Sequence, residues 1–133
     1  MYQPSEFPLD GEFSFHKLGQ CLIVSVPADL FGQRREAFQR FLLNSIQHER
    51  LRGLILDLSG VELCDVEDFR ALQRTIAMTS LMGTRSILVG LKPTVVQILI
   101  ESDQLEGLDA LEVTRNVQDA LELLKAASLK GTR

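Results

Sequence analysis

The run Leu54-Ile55-Leu56-Asp57-Leu58-Ser59-Gly60-Val61-Glu62-Leu63-Cys64-Asp65-Val66-Glu67-Asp68-Phe69 decides the fold. Its aliphatic start, interrupted by a single aspartate, has the continuous apolar character of a strand buried on both faces. Ser59-Gly60 breaks that strand. Asp65 is placed to cap a following helix, and Asp68, three positions on, occupies the acid position of a capping box. Strand, polar turn and capped helix make one unit of an open α/β sheet, and strand ends that feed helix N-termini are where such sheets carry their working residues. The carboxylates Asp57, Glu62, Asp65, Glu67 and Asp68 all fall around this loop, and no Ser, Thr or His adjoins Asp65.

On the N-terminal side, residues 12–18 alternate apolar and polar, which predicts a half-exposed strand. Gly19-Gln20 is a two-residue turn, and residues 21–26 form a more buried strand that Pro27 ends, so a β-hairpin is expected. The polar, proline-bearing residues 1–11 are expected to be a loose tail. From Leu30 to about Arg50 the period becomes helical, with Phe38, Phe41, Leu42 and Ile46 on one face. On the C-terminal side, the capped helix runs to about Met82 with Phe69, Leu72 and Ile76 inward, and Gly83 is placed to end it in the left-handed conformation. Residues 86–90 read as a short buried strand. Pro93 suits the first turn of a helix bearing Val95, Val96, Leu99 and Ile100. Residues 111–113 make a last strand, and Asn116 caps a final helix bearing Val117, Ala120, Leu121, Leu124 and Ala127. The order β-β-α-β-α-β-α-β-α predicts an α/β fold: a mostly parallel sheet with right-handed crossovers, an N-terminal β-hairpin and about four helices. Nothing divides residues 12–130, which are expected to be a single domain.

The 133 residues suffice for a core without a disulfide or metal staple, since a domain of this size buries roughly two-thirds of its unfolded surface. The net charge of −4 argues against nucleic acid as a partner, because that affinity comes from clustered Lys and Arg. Arg34, Arg35, Arg40, Arg50 and Arg52 are mixed with Glu36 and Glu49, the pattern of a solvated helix face. Cys21 and Cys64 lack metal-ligand spacing and read as reduced core thiols. No apolar run approaches the roughly 20 residues of a membrane span, and no signal-like N-terminus is present. The expected location is the cytoplasm.

An enzymatic reading finds little to stand on. His16 lies on a predicted edge strand and His48 on a charged helix end, neither in a triad-like arrangement. No phosphate-binding glycine motif occurs. The loop acids could hold Mg²⁺, but a solvated loop ahead of a capped helix accounts for them better. No catalytic residue, metal or cofactor is expected. Asp57 at a strand end and Lys92-Pro93 after a later strand resemble the phosphoacceptor and lysine of response-regulator receivers, which gives the alternative function: receiver-like or Mg-dependent phosphotransfer using Asp57 and Lys92. The missing acidic pair after the first strand and the number of intervening strands oppose it.

The order of elements closely resembles the STAS domain, the anti-sigma-factor antagonist fold, over about residues 12–128. The likeness is carried by Leu56-Asp57-Leu58-Ser59-Gly60-Val61 with Asp65 at the next helix start, by Leu81-Met82-Gly83, and by Ile87-Leu88-Val89-Gly90-Leu91-Lys92-Pro93-Thr94-Val95-Val96-Gln97. The last two stretches look most like the STAS proteins of stressosomes. The resemblance implies a non-enzymatic regulatory or scaffold protein whose partners are other STAS domains and a serine/threonine switch kinase. It also implies a phosphorylated Ser or Thr directly after the helix-opening Asp. Here that position is Val66, which has no hydroxyl. Glu67 beside it adds one charge, against roughly −1.5 to −2 for a phosphoserine.

The expected interaction surface is therefore Ser59, Glu62, Asp65, Val66, Glu67 and Asp68, with Lys92 and Thr94 from the neighbouring strand end. Charge reversal at Glu67 or Asp68 is expected to leave the fold nearly unchanged. Ser59, Thr94, Thr79 and Ser80 are the remaining hydroxyls for a phosphate, Thr94 the best placed because a helix begins there. Phe13, Phe15 and Leu18 on the edge hairpin either cover the local core or pair with a second copy, making a homo-oligomer.

Overall fold

The computed structural model describes residues 13–28, 34–62, 65–101 and 111–131. The expected tail, Asp29 and Cys64 lie outside them. Five strands and four helices are described: β1 (Phe15–Leu18), β2 (Cys21–Ser25), α1 (Arg35–Glu49), β3 (Gly53–Asp57), α2 (Val66–Leu81), β4 (Arg85–Val89), α3 (Pro93–Glu101), β5 (Glu112–Thr114) and α4 (Val117–Gly131). The strands form one sheet in the order β1-β2-β3-β4-β5, antiparallel only at the β1–β2 hairpin and parallel elsewhere. This is the mostly parallel α/β sheet that the element order predicts.

Each boundary has a local cause. Gly83 adopts φ +85°, and the Met82, Gly83 and Thr84 amides fold back onto carbonyls of the last turn of α2. Asn116 accepts the Asp119 amide through its side chain at 2.8 Å and so caps α4. The described part of α1 begins at Arg35, with Arg34 in the flanking position; the expected start at Leu30 falls outside the described residues.

The central strands bury both faces, and their side chains alternate between two apolar layers. Leu22, Val24, Leu54, Leu56 and Leu88 point to a larger layer with Phe38, Phe41, Leu42 and Ile46 of α1, Phe69 and Leu72 of α2 and Val95 of α3. Cys21, Ile55, Ile87 and Val89 point to the other, where Ala120 of α4 is fully buried among them. Burial pushes the Cys21 thiol up to about 11.

Three expectations are corrected. Strand β1 begins at Phe15, not at residue 12, yet Phe13 is buried and meets the rings of Phe38 and Phe41 at 5.3 Å each. Phe13 and Phe15 are not equivalent: Phe15 touches Phe41 at 5.4 Å but stays 43% exposed. The arginines at the start of α1 are not simply solvated, because Arg34, flanking the helix, lies over the Phe13 ring at 5.1 Å and Arg35 reaches Asp68 at 3.6 Å.

Candidate functional site

The parallel register aligns the C-terminal ends of β3 and β4, with Asp57 beside Val89. The Leu58 amide donates to the Val89 carbonyl at 2.8 Å, and the Val61 amide closes a turn onto Leu58 at 2.9 Å. Asp57 accepts the Ser59 amide at 2.9 Å. Gly90 sits directly against this turn at φ +73°; a Cβ there would lie 3.0 Å from Asp57 Oδ1 and 3.0 Å from Ser59 Cβ. Only glycine supplies both the left-handed backbone and the close approach. The loop after β3 and the loop after β4 are thus packed together.

Side chains then join the two loops. Lys92 Nζ donates to Glu62 Oε2 at 2.9 Å, and Thr94 Oγ1 donates to the Glu62 carbonyl at 3.3 Å. The Lys92 bond holds the Glu62 carboxyl below its usual range. Lys92 is therefore paired with Glu62, while Asp57 is occupied by a backbone amide, so the Asp57–Lys92 contact that a receiver-like phosphotransfer would use is not formed.

At the start of α2, Asp65 has extended backbone (φ −83°, ψ 177°) and its side chain accepts the Asp68 amide at 2.8 Å. Asp68 in turn accepts the Asp65 amide at 3.4 Å, completing the capping box. Partial burial, and beyond it the adjacent Asp65 carboxylate, push the Asp68 carboxyl above its usual value, against the pull of the Asp65 amide and Arg35. Asp68 is consequently a structural residue, which corrects the expectation that reversing its charge leaves the fold nearly unchanged. Glu67 projects into solvent without an ion-pair partner among the described residues. Val66, half-buried, is the first residue of the helix.

The structure thus gathers Ser59, Glu62, Lys92 and Thr94 on one rim of the sheet, with Asp65, Val66, Glu67 and Asp68 following from the same loop. Among the described residues no group of three His, Cys, Asp or Glu is placed to hold a metal ion. Of the hydroxyls, Ser59 and Thr94 are exposed, whereas Thr79 is fully buried and bonded to Ile76 and Ser86, which removes it as an acceptor of phosphate in the folded chain. Arg35 was not legible as a neighbour of this rim, since it comes from α1, far away in sequence. Gly90 carried a signal, a glycine closing an apolar strand, but not the identity of the atoms it approaches.

Comparison with known proteins gives a consistent picture. The model of the STAS domain matches residues 12–120. A serine-to-glutamate variant of Moorella thermoacetica RsbS superposes with a TM-score of 0.72 at 26% identity, over 87% of this chain and 97% of that one. A chain of the stressosome, described as a signal integration and transduction hub, gives a TM-score of 0.74 at 26% identity over 86% and 98%. The unphosphorylated anti-sigma factor antagonist SpoIIAA shares the fold, with a TM-score of 0.67 at 12% identity over 86% and 96%. No match was found among curated protein sequences. Among the described residues no helix is long and apolar enough to cross a membrane.

Proposed function

The chain belongs to the STAS domain family, and on that premise we propose that it is a non-enzymatic, cytoplasmic regulatory or scaffold protein of a stressosome-like or partner-switching pathway. Its partners are other STAS domains and a serine/threonine switch kinase. The proposed surface is Ser59, Glu62, Asp65, Val66, Glu67 and Asp68 with Lys92 and Thr94. The single observation that carries the reading is Val66 at the first position of α2, directly after the capping Asp65. The family resemblance implies a phosphorylated hydroxyl at that position, and valine cannot accept a phosphoryl group. The rim is then a docking surface locked in one covalent state, with Glu67 supplying a single negative charge beside the helix N-terminus, where the macrodipole favours it.

The experiment is incubation of the full chain with the switch kinase and STAS proteins encoded alongside it, with ATP. Light scattering after size exclusion reads binding, and mass spectrometry reads phosphate. The expected result is complex formation without phosphate at residues 59–69, whereas a Val66→Ser variant gains one phosphate on the introduced hydroxyl. Glu67→Lys weakens the complex while lowering stability by no more than about 1 kcal/mol, the loss of its favourable place at the helix N-terminus. Efficient phosphorylation of wild-type Ser59 or Thr94 would overturn the single-state reading. A chain that binds none of these partners would overturn the assignment to such a pathway.

A further inference from the structure

The two faces of the sheet are covered unequally. Helices α1, α2 and the start of α3 pack on one face, and among the described residues α4 is the helix on the other. A helix about 10 Å across cannot roof five strands spaced about 4.8 Å apart. Helix α4 lies over β3, β4 and β5. Among the described residues, no helix covers the strip over the end of β1 and the start of β2. Leu18, paired in register with Cys21, is 53% exposed there.

A groove of about 580 Å³ lies between the hairpin and α4, at the opposite end of the strands from Asp57 and Ser59. Its apolar walls are Leu18, Cys21, Leu121 and Leu124, and it also carries Arg52, Arg85 and Lys125. Arg85 is already engaged by Glu112 through three bonds of 3.0, 2.6 and 2.5 Å. Arg52 and Lys125 have no ion-pair partner among the described residues.

We propose that this groove binds one molecule of a long-chain carboxylate, with its acyl chain along Leu18, Cys21, Leu121 and Leu124 and its carboxylate on Arg52 and Lys125. The ligand class follows from two requirements that one molecule must meet together. A small inorganic anion would answer the cations and leave the apolar wall wet. A neutral lipid would cover the wall and leave the cations unanswered. The volume falls in the roughly 300–1,000 Å³ range of small-molecule sites, and the groove is concave. A second protein would instead need about 800 Å² of matched surface on each side. The site is independent of the rim around Val66.

The test uses the full chain and dodecanoate below its micellar concentration, read by calorimetry and by amide shifts in nitrogen–proton correlation spectra. One-to-one binding is expected, with shifts confined to the β1–β2 turn, the start of β3 and α4. An Arg52→Ala, Lys125→Ala double variant, altered only at exposed side chains, keeps its thermal unfolding and loses at least about tenfold in affinity, the factor carried by one charge-assisted hydrogen bond. Arg52→Lys retains most of the binding, and uncharged dodecyl maltoside binds at least about tenfold more weakly than dodecanoate, for the same reason. Absence of binding, equal binding by the double variant, or shifts at the Ser59–Asp68 rim would each overturn the proposal. So would a wild-type dimer in light scattering that Leu18→Gln converts to a monomer, because a second copy would then occupy the groove.

Discussion

Asp68 closes the capping box with Asp65 and reaches across to Arg35 on α1, whereas its neighbour Glu67 touches neither. Adjacent acids on one exposed turn therefore carry different weights. Asp65→Ala removes the side-chain acceptor of the Asp68 amide and is expected to cost about 1 kcal/mol, the usual value of an N-cap. Asp68→Lys removes the reciprocal bond, brings a cation to the positive end of the helix and faces Arg35, so a loss of about 1–2 kcal/mol is expected. Glu67→Lys brings a cation to the same helix end but breaks no capping bond, so a smaller loss of about 0.3–1 kcal/mol is expected. Urea midpoints of the three variants check this order. Equal midpoints for Asp68→Lys and Glu67→Lys would mean that the capping box does not hold in solution.

Among the elements, β5 is the least secured strand of the sheet. It has three residues, pairs among the described residues only with β4, and its middle residue Val113 is exposed. The Arg85–Glu112 pair ties it to β4 at the level of the side chains. The Arg85 hydrogen bonds hold the Glu112 carboxyl below its usual range. A carboxyl depressed in the folded state contributes stability above its unfolded value, about 4.3, and loses it as the pH falls through the folded one. Both side chains are more than a third exposed, so the pair is worth about 0.2–1 kcal/mol and is weakened by salt. Glu112→Gln is therefore expected to lower stability by at most about 1 kcal/mol at neutral pH. The difference from wild type shrinks as the pH is taken below about 4, where an ordinary carboxyl is itself protonated. Denaturant titrations at both pH values measure it, and a difference that grows on acidification would contradict the assigned sign.

For the molecule as a whole, the hairpin edge separates core from surface within three residues. Phe13 is buried against Phe38 and Phe41, while Phe15 and Leu18 are largely exposed. Phe13→Ala is expected to cost about 3–5 kcal/mol, as for other fully buried aromatics. Phe15→Glu should preserve a cooperative thermal transition and so isolates the role of the edge in self-association. A concentration-dependent mass that this variant abolishes would identify β1 as a contact between copies. Loss of the transition itself would return Phe15 to the core.

The order of strands and helices, the hairpin, the cap at Asp65 and the stop at Gly83 were legible in the chain because each depends on residues within a few positions of one another. Periodicity and capping are local physics. Valine at position 66 is equally a matter of sequence, since the absence of a hydroxyl is covalent chemistry that no fold can alter. The pairing of Lys92 with Glu62 in preference to Asp57, the reach of Arg35 to Asp68, the approach of Gly90 to Ser59 and the split between Phe13 and Phe15 were decided only by the tertiary structure. Each joins residues from different elements, and their meeting depends on the register of parallel strands and on which face each helix crosses. The groove beside α4 belongs with these. It exists because helices and strands differ in width, so the coverage of a sheet face is a property of assembled layers and is carried by no single segment of the chain.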